Sequence, residues 1–111
     1  MATTYDINAL TEELELDQED IVELLNDFRE FLEGVKPDLE KVVSAGDASA
    51  VRSLAHSIKG SAGNLRVGEV YRVAKDLQDA ADGKDVEKLK SIHSELSKHI
   101  EDFLVESANL S

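Results

Sequence analysis

The chain has 111 residues, of which 41% are hydrophobic and 32% are charged; this composition is typical of a folded globular protein, and the length predicts one domain over residues 1–111. The net charge of −12 argues against a nucleic-acid partner, and the absence of cysteine excludes disulfides and thiolate chemistry. The apolar runs are too short to span a membrane and the N-terminal segment is acidic, which predicts a cytoplasmic protein without membrane contact.

The first half of the chain predicts two helices. Asp6 is the expected N-cap of a short helix that ends near Leu16, and Asp17 is the expected cap of the next helix. The apolar face of this second helix keeps its phase beyond Pro37, which predicts one long helix with a kink at the proline. Its predicted inner residues are Ile21, Leu24, Leu25, Phe28, Phe31, Leu32, Val35, Leu39, Val42 and Val43.

The second half predicts three further helices. The third begins after Asp47, and Gly68 is expected to end it; the fourth runs from about Glu69 to Asp82, and the fifth begins after Asp85. The inner face of the fifth helix is expected to hold Val86, Leu89, Ile92, Leu96, Ile100, Phe103 and Leu104. Because short connections make successive helices antiparallel and no strand pattern occurs, the predicted fold is all-α. It is an antiparallel up-down four-helix bundle with a short additional N-terminal helix.

The third helix has a polar face centred on a histidine. At about 100° per residue, Arg52, Lys59, Gly60 and Gly63 lie within about 60° of His56 around the helix axis. The apolar residues on the opposite face are Val51, Leu54, Ala55, Ile58, Ala62 and Leu65. Each glycine costs a helix about 1 kcal/mol relative to alanine. A bare surface kept at that cost indicates that another molecule must approach it closely.

The charge of the chain is unevenly distributed. Residues 48–68 contain no Asp or Glu, although they carry Arg52, Lys59 and Arg66. A locally basic surface on an acidic protein predicts an anionic ligand, or an acidic pocket of a partner protein, at the histidine.

Metal and nucleotide chemistry find no support in the sequence. His93 and His99 lie at the edges of the last apolar stripe and not on one face, so they are a poor metal pair and we assign them no role. The Glu-x-x-His pattern of di-iron bundles is absent, and no segment fits an EF-hand or a P-loop. The sequence therefore predicts neither a metal nor a cofactor.

Residues 56–65, His-Ser-Ile-Lys-Gly-Ser-Ala-Gly-Asn-Leu, resemble the signature of histidine-containing phosphotransfer (HPt) domains. The helix order is also similar, with a long helix that leads through a Gly-Asp turn into the histidine helix. The resemblance implies a phosphocarrier without an ATP site. In such a carrier, His56 would accept a phosphoryl group from a receiver-domain aspartate of a hybrid sensor kinase and pass it to a response regulator.

The resemblance also implies roles for the neighbours of His56. Lys59 would offset the charge of about −1.5 to −2 that a phosphoryl group brings. Gly60 and Gly63 would leave space for the phosphoryl oxygens and for the loops of the receiver. Gln78 on the next helix matches a glutamine that hydrogen-bonds near the imidazole in some members.

One position departs from the family pattern, because many members have glycine where this chain has Arg66. We expect Arg66 to act with Arg52 as a docking cation, on the assumption that Gly68 still ends the helix. The departure concerns the choice of partner.

Two alternatives remain at this point. In the first, the chain is a binding-only helical adaptor in which the histidine is incidental. In the second, the chain is a phosphorylatable domain excised from a larger histidine kinase. The helix faces leave no spare apolar stripe, so a monomer is expected in each case.

Overall fold

Helices are the only regular secondary structure in residues 4–110, the part of the chain that the computed structural model describes. The predicted all-α fold is confirmed. The five helices are α1 (Ile7–Leu14), α2 (Gln18–Ser44), α3 (Ala48–Asn64), α4 (Gly68–Asp82) and α5 (Val86–Glu106). Helices α2 to α5 pack in sequence around one core, α5 closes on α2, and α1 packs on α2.

Four aspartates begin four of the helices, as predicted. The carboxylates of Asp6, Asp17, Asp47 and Asp85 each accept a hydrogen bond from the backbone N–H three residues further on, at 3.1, 2.9, 3.1 and 3.2 Å. Each cap satisfies a donor that the first turn of a helix leaves unpaired. The helix starts are therefore specified by local sequence.

The boundary between α3 and α4 differs from the prediction. Gly68 does not end α3; the helix ends at Asn64, and Gly68 is the first residue of α4. Arg66 takes the left-handed conformation that usually favours glycine, with φ of 56°. Its guanidinium compensates for this, because it donates to the carbonyl of Gly63 at 2.7 Å and binds the carboxylate of Glu13 at 2.8 Å.

Helix α2 continues through its proline. It runs without interruption from Gln18 to Ser44 and holds Pro37 at an exposed position, which confirms the predicted long helix. The kink remains a prediction. The short first helix, α1, ends at Leu14, slightly earlier than predicted. Glu15 ends it because this residue adopts a left-handed conformation with φ of 54°.

The core is formed by the predicted apolar faces, with two exceptions. Val86 is 42% exposed because it stands at the first turn of α5, where it lies beside Gly46 in the α2–α3 turn. Leu24 is 38% exposed and lines a groove with Leu14 and Phe31. The largest fully buried side chains are Leu10, Ile21, Leu25, Leu32, Leu39, Val51, Ile58, Leu77, Leu89, Leu96, Ile100 and Phe103.

Candidate functional site

His56 stands exposed on α3, as its helical position predicts. The helix buries the opposite face, whose fully buried residues are Val51, Ala55, Ile58 and Ala62. Within residues 4–110, no side chain or backbone group forms a hydrogen bond or an ion pair with the imidazole. Both ring nitrogens are therefore without a partner in the part of the chain that the structure describes.

Two contacts fix how α3 and α4 pass each other. Near the start of α3, Arg52 Nε lies 2.5 Å from the carboxylate of Asp82 at the end of α4. Near the end of α3, the Tyr71 ring of α4 lies so close to Gly63 that a Cβ added there would be 3.1 Å from Tyr71 Cδ1. The helices are thus antiparallel, and these two pairs define the register of every level between them.

Gln78 falls at the level of His56 in this register. Its side-chain oxygen Oε1 is buried and accepts no hydrogen bond from any described residue. Buried acceptors are nearly always paired, so an unpaired one is unusual in a folded protein. An unpaired acceptor is therefore buried on α4 at the helical level of His56.

The two glycines near His56 have different surroundings. A Cβ at Gly60 would meet nothing within 4 Å, so this position opens directly to solvent. At Gly63 the ring of Tyr71 already occupies the neighbouring space. Gly60 therefore borders open space, whereas Gly63 borders Tyr71, which is itself 40% exposed.

The cations of α3 and of the turn after it fall into two groups. Arg52 and Arg66 are each paired with a carboxylate, Asp82 and Glu13 respectively. Lys59 makes no ion pair with any carboxylate of the described chain. Acidic residues of α1 and α4 thus pair with the two arginines of the segment that itself lacks acidic residues. Lys59 is the charged residue of α3 that has no such partner on the His56 side.

Tyr71 is not recognisable as a neighbour of the His56 surface from one helix alone, but its contact with Gly63 places it at the end of that surface. The signal lies in the spacing of α4, where Tyr71, Gln78 and Asp82 follow one flank. On another flank of α4, Arg72 contacts Glu95 of α5 at 3.1 Å. The helix therefore uses separate flanks for its two neighbours.

The other two histidines belong to α5. His93 is half-buried, and burial lowers its pKa while Glu40 opposes this effect. His99 Nε2 lies 3.7 Å from the carboxylate of Glu69. Across residues 4–110 no three His, Asp or Glu side chains are grouped to hold a metal ion, and none of the helices described is long and apolar enough to cross a bilayer.

Comparison with known proteins agrees with this architecture. Residues 23–107 match the model of the Hpt domain family. The fold is similar to that of histidine-containing phosphotransfer protein B (HptB) from Pseudomonas aeruginosa PAO1, with a TM-score of 0.85 and 22% sequence identity over 97% of this chain and 94% of that one. No curated protein matches the chain in sequence. Because the family model covers most of its length, this chain belongs to the Hpt domain family and is a histidine phosphotransfer module of phosphorelays, in which such domains interact with receiver domains.

Proposed function

We propose that His56 is the phosphoacceptor. It would take the phosphoryl group from a receiver aspartate of a hybrid sensor kinase and pass it to the receiver of a response regulator. The observation that supports this assignment is an exposed imidazole without any described partner, inside the segment that matches the family. His93 and His99 are each half-buried on α5 and lack the bare surface that adjoins His56.

The reaction requires a neutral imidazole that attacks phosphorus with the lone pair of one ring nitrogen. As the N–P bond forms, the P–O bond of the aspartyl phosphate breaks and the carboxylate leaves. The second ring nitrogen keeps its proton, so the phosphorylated ring is an imidazolium until transfer reverses these steps. The protein supplies positioning and charge compensation, and no ATP is involved, so we describe the chain as a carrier rather than an enzyme.

Gln78 is proposed as the residue that orients the ring. Its unpaired Oε1 at the level of His56 would accept a hydrogen bond from the protonated ring nitrogen. This bond would direct the other nitrogen of His56 outward to the donor. It would also stabilise the positive charge that the ring acquires during the reaction.

Lys59 and Gly60 are proposed to serve the phosphoryl group itself. Lys59 is half-buried without an ion pair among the described residues, so its ammonium is free to bind a phosphoryl oxygen. Gly60 provides the open space through which the receiver reaches the imidazole. For Gly63 we propose clearance of a different kind, since the absence of a Cβ leaves space for the ring of Tyr71.

Arg52 and Arg66 remain proposed docking cations. Each side chain is exposed although it is paired, so each can contact an acidic group of the receiver from its present position. The proposal also retains a monomeric, cytoplasmic protein that folds as one domain over residues 1–111, of which residues 1–3 and 111 lie outside the described part.

Incubation with a radiolabelled phosphorylated receiver tests this function. We expect label to move to the wild-type chain and to a His93→Gln variant, but not to His56→Gln. Binding of the unlabelled receiver should survive in His56→Gln, because the docking surface is intact. If the receiver binds but transfers no label to the wild-type chain, the chain is a binding-only adaptor and the proposal fails.

A further inference from the structure

Four residues of α4 form one line that faces α3. They are spaced by four, three and four positions, which keeps them on a single flank of the helix. The two end members both contact α3, one against Gly63 and the other against Arg52. The line consists of Tyr71, Lys75, Gln78 and Asp82.

The polar face of α3 contains a line with the same spacing, and the two lines pair in opposite directions. Contacts between the helices fix the pair at each end of the two lines. Because both helices have the same rise per residue, the two pairs between these ends follow from the register. From one end to the other, the pairs are Arg52 with Asp82, His56 with Gln78, Lys59 with Lys75, and Gly63 with Tyr71. Lys75 therefore lies on the His56 side of α4, opposite Lys59.

Lys75 also differs from the neighbouring arginines because it has no carboxylate partner in the described chain. Arg52, Arg66 and Arg72 each bind a carboxylate, whereas Lys75 is exposed and forms no ion pair with the acids of residues 4–110. Asp76, its neighbour on α4, contacts Arg72 instead, at 3.7 Å. Two unpaired ammonium groups therefore occupy one level of neighbouring helices, although like charges at close range repel each other.

An anion between the two lysines resolves this arrangement. Their level lies three residues from that of His56, or about 4.5 Å along the helix axes, which the four-carbon stem of a lysine can span. A phosphoryl group on histidine carries a charge of up to about −2, by analogy with other phosphorylated side chains. Two monovalent cations on opposite helices match that charge.

We propose that Lys75 is a second phosphoryl-binding residue, which with Lys59 binds the phosphoryl oxygens on His56 from the α4 side. This inference rests on the proposed role of His56. It assigns to α4 a direct part in holding the phosphoryl group, in addition to orientation of the ring by Gln78. Lys75 acts as a charge only, and it neither gains nor loses a proton in the transfer.

The test uses the full chain phosphorylated by phosphoramidate, a small donor that needs no docking surface. Phosphorus NMR then measures the pKa of the phosphoryl group and the phosphorylated fraction at equilibrium. For Lys75→Gln we expect the pKa of the phosphoryl group to rise. We also expect the equilibrium constant for phosphorylation by the donor to fall by about two- to fivefold, the size expected for one exposed ion pair. Lys75→Arg should retain the wild-type values.

Lys90→Gln is the matched control, because Lys90 is an exposed lysine on α5 that also lacks an ion pair within the described chain. It should leave both measurements unchanged, and circular dichroism should show equal helicity for all variants. The inference is overturned if Lys75→Gln behaves like Lys90→Gln. It is equally overturned if Lys75→Gln slows only transfer from a receiver, which would make Lys75 a docking residue. A wild-type chain without a His56-dependent phosphohistidine signal would instead overturn the proposed function, and this inference with it.

Discussion

At the scale of single residues, the site is defined by which polar groups lack partners. Arg52 and Arg66 are paired with carboxylates. The His56 ring, the Lys59 ammonium and the buried oxygen of Gln78 have no hydrogen-bond or ion-pair partner among the described residues. An unpaired buried acceptor costs about 1–3 kcal/mol. This cost applies to the Gln78 oxygen, whereas the exposed His56 ring can bind water.

The Lys59→Ala variant tests the role of charge at the site. Because Lys59 makes no ion pair within the described chain, its loss should change the free energy of unfolding by less than about 0.5 kcal/mol. We expect slower transfer from the receiver, or a shorter half-life of the phosphohistidine, since the phosphoryl charge loses a cation. Quench-flow transfer assays and hydrolysis time courses measure both quantities, with Lys90→Ala as the control. Unchanged rate and half-life would refute the charge-compensation role.

The Gln78→Leu variant separates function from stability. Because the variant removes a buried oxygen that has no hydrogen-bond partner, the free energy of unfolding should stay unchanged or rise by about 1 kcal/mol. Transfer to His56 should nevertheless slow, because the ring loses its orienting acceptor. Urea unfolding and the transfer assay are measured on the same preparation. A variant that is strongly destabilised but transfers normally would show that Gln78 is structural.

At the scale of elements, helix starts could be predicted from sequence, whereas helix relations could not. The Asp caps are local signals, and all four hydrogen bonds are present. The end of α3 was misassigned because Arg66, not Gly68, adopts the left-handed conformation. Its ion pair with Glu13 joins residues far apart in the chain, so no local pattern reports it. The periodicity of a single helix predicts its buried face, but it does not predict which residues of α3 lie opposite which residues of α4.

Alanine at the two glycines of α3 tests the difference between them. Gly60→Ala should stabilise the protein by about 1 kcal/mol, since alanine is the better helix former and its Cβ meets open space. Gly63→Ala should gain less, because its Cβ would lie 3.1 Å from the Tyr71 ring. Chemical denaturation measures both values. In a Tyr71→Ala background the two gains should become equal, and a difference that persists there would contradict the explanation.

A large side chain at Gly60 tests docking on the same element. Gly60→Phe should keep or increase helicity, because the position is exposed and glycine is a poor helix former. Binding of the receiver should be lost, since the side chain fills the approach to His56. Circular dichroism and isothermal titration calorimetry report the two properties. Lost helicity would contradict the exposed placement of Gly60.

At the scale of the whole molecule, the bundle separates an apolar core from the polar surface around His56. The apolar faces of α2 to α5 form one core, and their periodicity made the fold class predictable from sequence. The candidate site was predicted from α3, whose signature resembled a known family, and from Gln78 on α4. The positions of Tyr71 and Lys75 opposite α3 emerged only from the packed structure, because they depend on which residues lie level with each other.

The pH dependence of stability is a property of the whole fold. Burial lowers the pKa of His93, so the folded state favours its neutral form. This contribution to stability is complete above the ordinary histidine pKa of about 6.5 and decreases as the pH falls below it. The wild-type chain should therefore lose more stability between about pH 7.5 and 5.5 than His93→Gln does, as measured by urea unfolding. An equal loss in the two proteins would contradict this account, and His56→Gln, which alters an exposed ring, serves as the control.

The most direct test of the central claim is to locate the phosphoryl group. After reaction with a phosphorylated receiver, the chain is digested at neutral to basic pH and the modified peptide is sequenced by tandem mass spectrometry. We predict one phosphohistidine, at His56, in the wild-type chain and in His93→Gln. Phosphorylation that persists in His56→Gln, or that maps to another residue of the wild-type chain, would contradict the assignment.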